Sequence, residues 1–186
     1  MINQIEYQHS FRDLRHHRKR KRAFPEEFII RFCNKYGLNL HKEGPVTIEI
    51  TSEMKGLIDN ALSDQYPCIV GTSSSDGLPN VSYKGSVMVF SATELAFWER
   101  ARKGGFAQLT DNPNIVVMYR NTELRKSWRF YGAVTIYDSG KIRDQVLEKT
   151  VQPELDRDPD RLGVAVVIKV TKITTLGGEI VQEASG

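Results

Sequence analysis

The sequence predicts a mainly β protein with a few helices, arranged as a six-stranded antiparallel barrel. Three observations carry this prediction. Between Cys68 and Thr171, short apolar runs and period-two alternation dominate over helical stripes. Ser75-Asp76-Gly77 lies between two such runs and signals a tight hairpin, because glycine reaches positive φ at low cost. Strands and helices also fail to alternate one for one, as a doubly wound parallel sheet would require. A closed or nearly closed barrel would protect its own hydrogen-bonding edges.

The elements follow in order. Residues 1–50 read as an extension with a basic segment, and residues 51–186 as the folded domain. Within the extension, Pro25 to Phe32 starts a short helix, since proline suits a first turn. Gly37 and Gly44-Pro45 then interrupt the chain. Val46, Ile48 and Ile50 alternate with polar residues as a short strand would. Ser52 is the expected N-cap of a helix whose apolar stripe is Met54, Leu57, Ile58, Ala61 and Leu62, ended by Asp64 and Pro67. Six strands are expected at Cys68–Thr72, Val81–Phe90, Glu94–Glu99, Ile115–Tyr119, Trp128–Tyr137 and Val164–Thr171. Gly85 marks a bulge or a close approach within the second of these. Two helices are expected between them. Arg102 to Asn112 carries Phe106, Leu109 and Thr110 on one side; Ser139 to Val151 turns Ile142, Val146, Leu147 and Thr150 inward.

Composition narrows the class. Hydrophobic residues make up 40% of the 186, enough for a core without disulfides or a structural metal. No apolar run approaches the roughly 20 residues of a membrane span, and no secretory leader opens the chain. Cys33 and Cys68 are far apart and fit free thiols in a reducing cytosol, so a cytoplasmic location is expected. The net charge of +3 is concentrated in Arg15, Arg18, Lys19, Arg20, Lys21 and Arg22. Such a run can bind phosphate backbones or anionic lipid, but like-charge runs are usually solvated arms, and the latter reading is favoured.

Several chemistries lack their residues. The four histidines (His9, His16, His17 and His41) all fall in the extension, no Cys/His cluster has zinc spacing, and there is neither a P-loop nor a GxGxxG. What remains is a set of cations and aromatics. Lys84, between Tyr83 and Gly85 in mid-strand, must reach water or meet an anion. Trp98 precedes Arg100, Arg102 and Lys103, and Gly104-Gly105 opens a helix where free backbone donors suit a phosphate. Lys126, Ser127, Trp128 and Arg129 form a second such group. A planar aromatic cofactor with a phosphate tail would be served by this set. Each member also has a structural reading: Lys84 as an edge-strand charge, Arg102 and Lys103 as solvated, and Trp98 and Trp128 as packing.

The order of these pieces resembles the pyridoxamine 5'-phosphate oxidase-like FMN-binding split barrels. The resemblance rests on Gly77-x-Pro79-x-Val81-Ser82-Tyr83-Lys84-Gly85, on Leu95-Ala96-Phe97-Trp98, on Arg102 through Pro113, and on Trp128-Arg129-Phe130-Tyr131-Gly132. It implies a split barrel of the FMN-binding type, working as a homodimer with FMN at the interface. It places Val81, Ser82, Tyr83 and Lys84 along the isoalloxazine and ribityl chain. It puts Lys84, Arg102, Lys103 and Gly104 at the phosphate and Ser127 at a polar contact, with Trp98, Trp128 and Arg129 completing the cofactor-binding set. Two departures stand out. Where the family usually has Ser-Arg-Lys, this chain has Lys103-Gly104-Gly105. It also lacks the C-terminal Arg-x-His element that recognises pyridoxine phosphate. The expected function is therefore an FMN-dependent oxidoreductase of another small molecule. The alternative is a non-catalytic protein holding flavin, deazaflavin or haem on the same barrel.

Overall fold

The computed structural model describes residues 47–185. The basic run, the helix expected at Pro25, Cys33, all four histidines and Val46 lie outside the described residues. Twelve elements follow in chain order: α1 (Ser52–Asp59), β1 (Cys68–Ser73), β2 (Pro79–Lys84), β3 (Met88–Ser91), β4 (Glu94–Glu99), α2 (Gly105–Asp111), β5 (Asn114–Asn121), β6 (Lys126–Tyr137), α3 (Lys141–Lys149), α4 (Gln152–Leu155), β7 (Val164–Thr174) and β8 (Ile180–Glu183).

The strands form one antiparallel sheet in the order β2-β1-β5-β6-β7-β4-β3, with β8 added to β7. The sheet is not closed. Its two end strands, β2 and β3, are consecutive in the chain and are joined across Gly85-Ser86-Val87. The single strand expected over Val81–Phe90 is therefore two strands at opposite ends of the sheet. The break has a physical cause at Gly85. A Cβ there would lie 2.7 Å from Glu154 Oε1 and 3.1 Å from a Leu62 methyl, so glycine lets the chain turn this corner without displacing either side chain. Ser86 then continues the pairing through its side chain, donating to the Trp98 carbonyl (3.0 Å) and accepting the Trp98 N–H (3.2 Å).

One large core fills the curled sheet. It gathers Met54 and Ile58 of α1, Cys68 and Val70 of β1, Leu95 and Phe97 of β4, Ile115, Val117 and Tyr119 of β5, Trp128 and Phe130 of β6, and Val166, Ile168 and Ile173 of β7. A second cluster on the opposite side of β4 and β7 packs Ala96, Trp98, Ala165 and Val167 against Val146 of α3. The middle of β4 and of β7 is thus buried on both faces, which explains their unbroken apolar runs.

The elements depart from expectation in several places. Residues 47–50 form no strand, although Ile48 and Ile50 are buried as their alternation requires, and the Ile50 N–H reaches the Ala92 carbonyl at 2.7 Å. The N-cap of α1 is Thr51, whose Oγ1 accepts the Met54 N–H, so Ser52 is the first helical residue; the helix ends at Asp59, short of the expected Asp64, and Ala61 and Leu62 fall in the turns that follow. Helix α2 begins three residues later than expected, at Gly105, and Arg102 stands before it with φ at 48°. The helix expected over Ser139–Val151 is α3 followed by the single turn of α4, where Pro153 sits in the first turn. The eight strands exceed the expected six by the division of the second and by β8.

Candidate functional site

The open seam of the sheet holds a cleft of about 240 Å³ between the inner faces of β1 and β2, the end of β4 and the start of α2. Alternation along β2 decides which side chains enter it. Asn80, Ser82 and Lys84 face the cleft, while Val81 and Tyr83 face outward and are 70% and 73% exposed. From β1 come Val70 and Thr72, the cross-strand partners of Ser82 and Asn80. Phe97 and Glu99 of β4 close the far side, and Lys103, Gly104, Gly105 and Phe106 form the rim.

Side-chain hydrogen bonds hold α2 against the hairpin. Thr72 Oγ1 donates to Gln108 Oε1 at 2.7 Å, Gln108 Nε2 donates to the Leu78 carbonyl at 3.1 Å, and Asn112 Nδ2 donates to Ser73 Oγ at 3.0 Å. Gly105 permits the approach: a Cβ there would stand 2.5 Å from Asn80 Nδ2 and 2.9 Å from Thr72 Oγ1.

The charged end of the cleft is dominated by Glu99, a residue the sequence reading did not single out. It is 3% exposed and ends β4 facing β2 across the seam. Its Oε2 is ion-paired with Lys84 Nζ, while its Oε1 accepts the N–H groups of Ala101 (2.9 Å) and Arg102 (3.3 Å). Lys84 also lies 5.3 Å from the centre of the Phe97 ring. The anion expected beside Lys84 is thus part of the chain, and Lys84 is also on an edge strand. Lys84 and Glu99 form a wall shared with a second hollow of about 260 Å³, whose lining includes Tyr83, Trp98, Arg100 and the nearly buried Glu154. Arg100 and Arg157 approach Glu154 at 3.5 Å each.

The expected site residues divide into three groups. Ser82, Lys84, Lys103 and Gly104 line the cleft. Val81, Tyr83, Ser127 and Arg129 belong to the outer sheet face, where cross-strand pairing sets Tyr83, Ile69, Met118 and Arg129 in one row and Val81, Gly71, Val116 and Tyr131 in the next. The remainder make contacts within the fold. Trp128 is buried and stacked on Tyr119 at 6.0 Å. Trp98 is 1% exposed; its Nε1–H donates to Asp158 (2.8 Å), and the Arg143 guanidinium lies 4.8 Å above its ring. Arg102 turns away to donate to the Leu162 carbonyl at 2.9 Å.

Among the described residues, the buried groups with displaced proton affinities include Cys68 and Asp158. Burial pushes the Cys68 thiol up to about 12. For Asp158, burial acts to raise the carboxyl, but hydrogen bonds from Trp98, Gly163 and Leu162 and the charge of Arg161 outweigh it and hold the group below the usual carboxylate value.

A split antiparallel barrel with a polar cleft in its seam defines the structural class, and comparison places the chain within it. The family model described as pyridoxamine 5'-phosphate oxidase matches residues 54–176, and the chain belongs to this family. Solved structures share the fold. HupZ of Group A Streptococcus is 22% identical with a TM-score of 0.54, over 74% of this chain and 99% of that one. An FMN-binding protein from Syntrophomonas wolfei is 13% identical with a TM-score of 0.52, over 80% and 97%. A pyridoxamine 5'-phosphate oxidase-related, FMN-binding protein from Nostoc punctiforme is 12% identical with a TM-score of 0.52, over 69% and 91%. Comparison with curated proteins by sequence finds no match. Among the described residues, no helix is long and apolar enough to cross a membrane.

Proposed function

We propose that this chain binds a flavin in the seam cleft, at an interface between two copies of the chain, and acts as a flavin-dependent oxidoreductase on a small molecule. The observation that carries this reading is the two-sidedness of β2. The same short edge strand turns Asn80, Ser82 and Lys84 into the cleft and presents Val81 and Tyr83 to solvent. With Ile69, Val116, Met118 and Tyr131, those two residues make an apolar sheet face of the kind monomers rarely leave open. The cleft alone falls short of the roughly 300–1,000 Å³ usual for cofactor pockets, so a second copy against this face supplies missing wall. Ser127 and Arg129 lie on that outer face, and in this reading they meet the cleft of the other copy.

The cleft fits the ring and polyol of a flavin better than its phosphate. Asn80, Ser82 and Thr72 offer amide and hydroxyl groups beside Val70, Phe97 and Phe106. FMN is the form the family resemblance implies. A bound flavin supplies the electron chemistry, and the chain binds and orients it. No free acid or base stands at the inner end, because Lys84 and Glu99 neutralise one another. That pairing favours the second reading, a non-catalytic flavin, deazaflavin or haem protein.

The test is a visible spectrum of the purified protein incubated with excess FMN or riboflavin, with light scattering to give the mass in solution. The reading expects flavin absorbance that stays with the protein, a dimer, and loss of both in Tyr83→Glu. A monomer that retains no flavin refutes it. Turnover of the bound flavin by NAD(P)H separates the enzyme from the carrier.

A further inference from the structure

We infer that Glu99 acts as an internal counter-anion that closes the inner end of the cleft to phosphate. The cleft then takes a flavin whose side chain ends in an uncharged hydroxyl, as in riboflavin, in preference to its 5'-phosphate. This inference rests on the flavin reading of the cleft and concerns one end of it.

Three observations support it. First, Glu99 is nearly buried and ionic: Lys84 holds one carboxylate oxygen and the Ala101 and Arg102 N–H groups hold the other. The Lys84 ammonium and the Ala101 and Arg102 N–H groups, which would grip a phosphate beside Glu99, are thus already bound to an anion belonging to the chain. Second, Lys84 is not free to change partner. Its side chain is about four-fifths buried with the ammonium over Phe97, and drawing it from Glu99 would leave a buried carboxylate without its counter-charge. Third, the other basic residues near the cleft do not replace it. Arg102 donates to the Leu162 carbonyl, Arg100 faces Glu154, and Lys103 is exposed on the rim, where solvent screens its charge.

A phosphate dianion brought to Lys84 would sit beside the Glu99 carboxylate, and like charges at that range repel strongly in a partly buried site. A hydroxyl meets the opposite situation. It can donate to a Glu99 lone pair and needs no unpaired cation. The ion pair thus selects by charge at a position where the two flavins differ by one phosphate.

The experiment titrates full-length apo-protein with riboflavin and with FMN, following flavin fluorescence, and repeats both titrations on Glu99→Gln. The wild type is expected to bind riboflavin at least as tightly as FMN. Glu99→Gln keeps the acceptor for Ala101 and removes the charge, so it should shift the preference toward FMN by about tenfold or more. A wild type that prefers FMN by about tenfold overturns the inference while leaving the flavin reading intact. An unchanged preference in a folded Glu99→Gln protein overturns it as well. Absence of binding by either flavin to the wild type removes both readings. The wild-type comparison stands even if the variant fails to fold.

Discussion

Replacing Asp158 by Ala should destabilise the protein by about 3–5 kcal/mol at neutral pH. The magnitude follows from what the carboxylate holds. Asp158 is 8% exposed; Oδ2 accepts the Trp98 Nε1–H at 2.8 Å and the Gly163 N–H at 2.9 Å, and Oδ1 accepts the Leu162 N–H at 3.1 Å. Three hydrogen bonds to a charged acceptor, each worth about 1.5–3 kcal/mol, would sum higher, but water entering the vacated space recovers part of the loss. Asp158→Asn keeps the shape yet turns an amide donor toward N–H donors, and should lose about 2 kcal/mol. The sign with pH is fixed by the lowered folded value. The stabilisation is present above the unfolded carboxyl value near 3.8 and is lost as pH falls through the folded one. The gap between wild type and Asp158→Ala should therefore be full at neutral pH and narrow below about pH 4. Urea unfolding followed by tryptophan fluorescence at neutral and acidic pH measures both. A loss under about 1 kcal/mol, or a gap indifferent to pH, would refute this account of how β4 is tied to the loop before β7.

Three further outcomes are expected. In a Cys33→Ser background, Cys68 should react with a thiol reagent only as fast as the protein unfolds. The stability owed to its raised thiol value should be present below pH 9 and decline as pH rises toward 12, which labelling rates and urea midpoints at several pH values will show. Tyr119 buries its hydroxyl without a hydrogen-bond partner among the described residues, so Tyr119→Phe should be neutral or stabilising by up to about 1 kcal/mol in the same unfolding assay. Gly105→Ala should destabilise by about 1–3 kcal/mol and weaken flavin binding, because the added methyl displaces Asn80 and Thr72 from the cleft wall; a variant that melts and binds like wild type would contradict that packing.

How far the sequence disclosed this fold depended on burial. Leu95 to Trp98 and Val164 to Ile168 read as strands because both faces are covered, so every residue there had to be apolar. Helix α1 was legible because Met54 and Ile58 enter one core from one side. The corner at Gly85 was not legible in full. Val81 to Phe90 has strand-like composition throughout, and the bend depends on Glu154 and Leu62 packing from distant parts of the chain. Strand β8 gave no signal, since Ile180 and Val181 are exposed and no buried face imposes alternation. The aromatics of the expected cofactor set were ambiguous for a related reason. A tryptophan beside arginines looks the same in sequence whether the ring meets a ligand or, as for Trp98 under Arg143, the cation meets the ring inside the protein.

The same ambiguity governs the centre of the site. A lysine read as mid-strand at position 84 had to reach water or meet an anion, and in the fold it meets one. The identity of the anion was beyond the local pattern. Glu99 ends an apolar strand, where a carboxylate ordinarily marks the return to solvent, and 15 residues separate it from Lys84. Only the seam, which brings the end of β4 to the edge strand β2, makes the two a pair. The cation that suggested a phosphate site and the carboxylate that satisfies it are consequences of one topology. In the proposed flavin reading, the charge of the ligand this cleft accepts is therefore set by a contact across the opening of the barrel rather than by any motif along the chain.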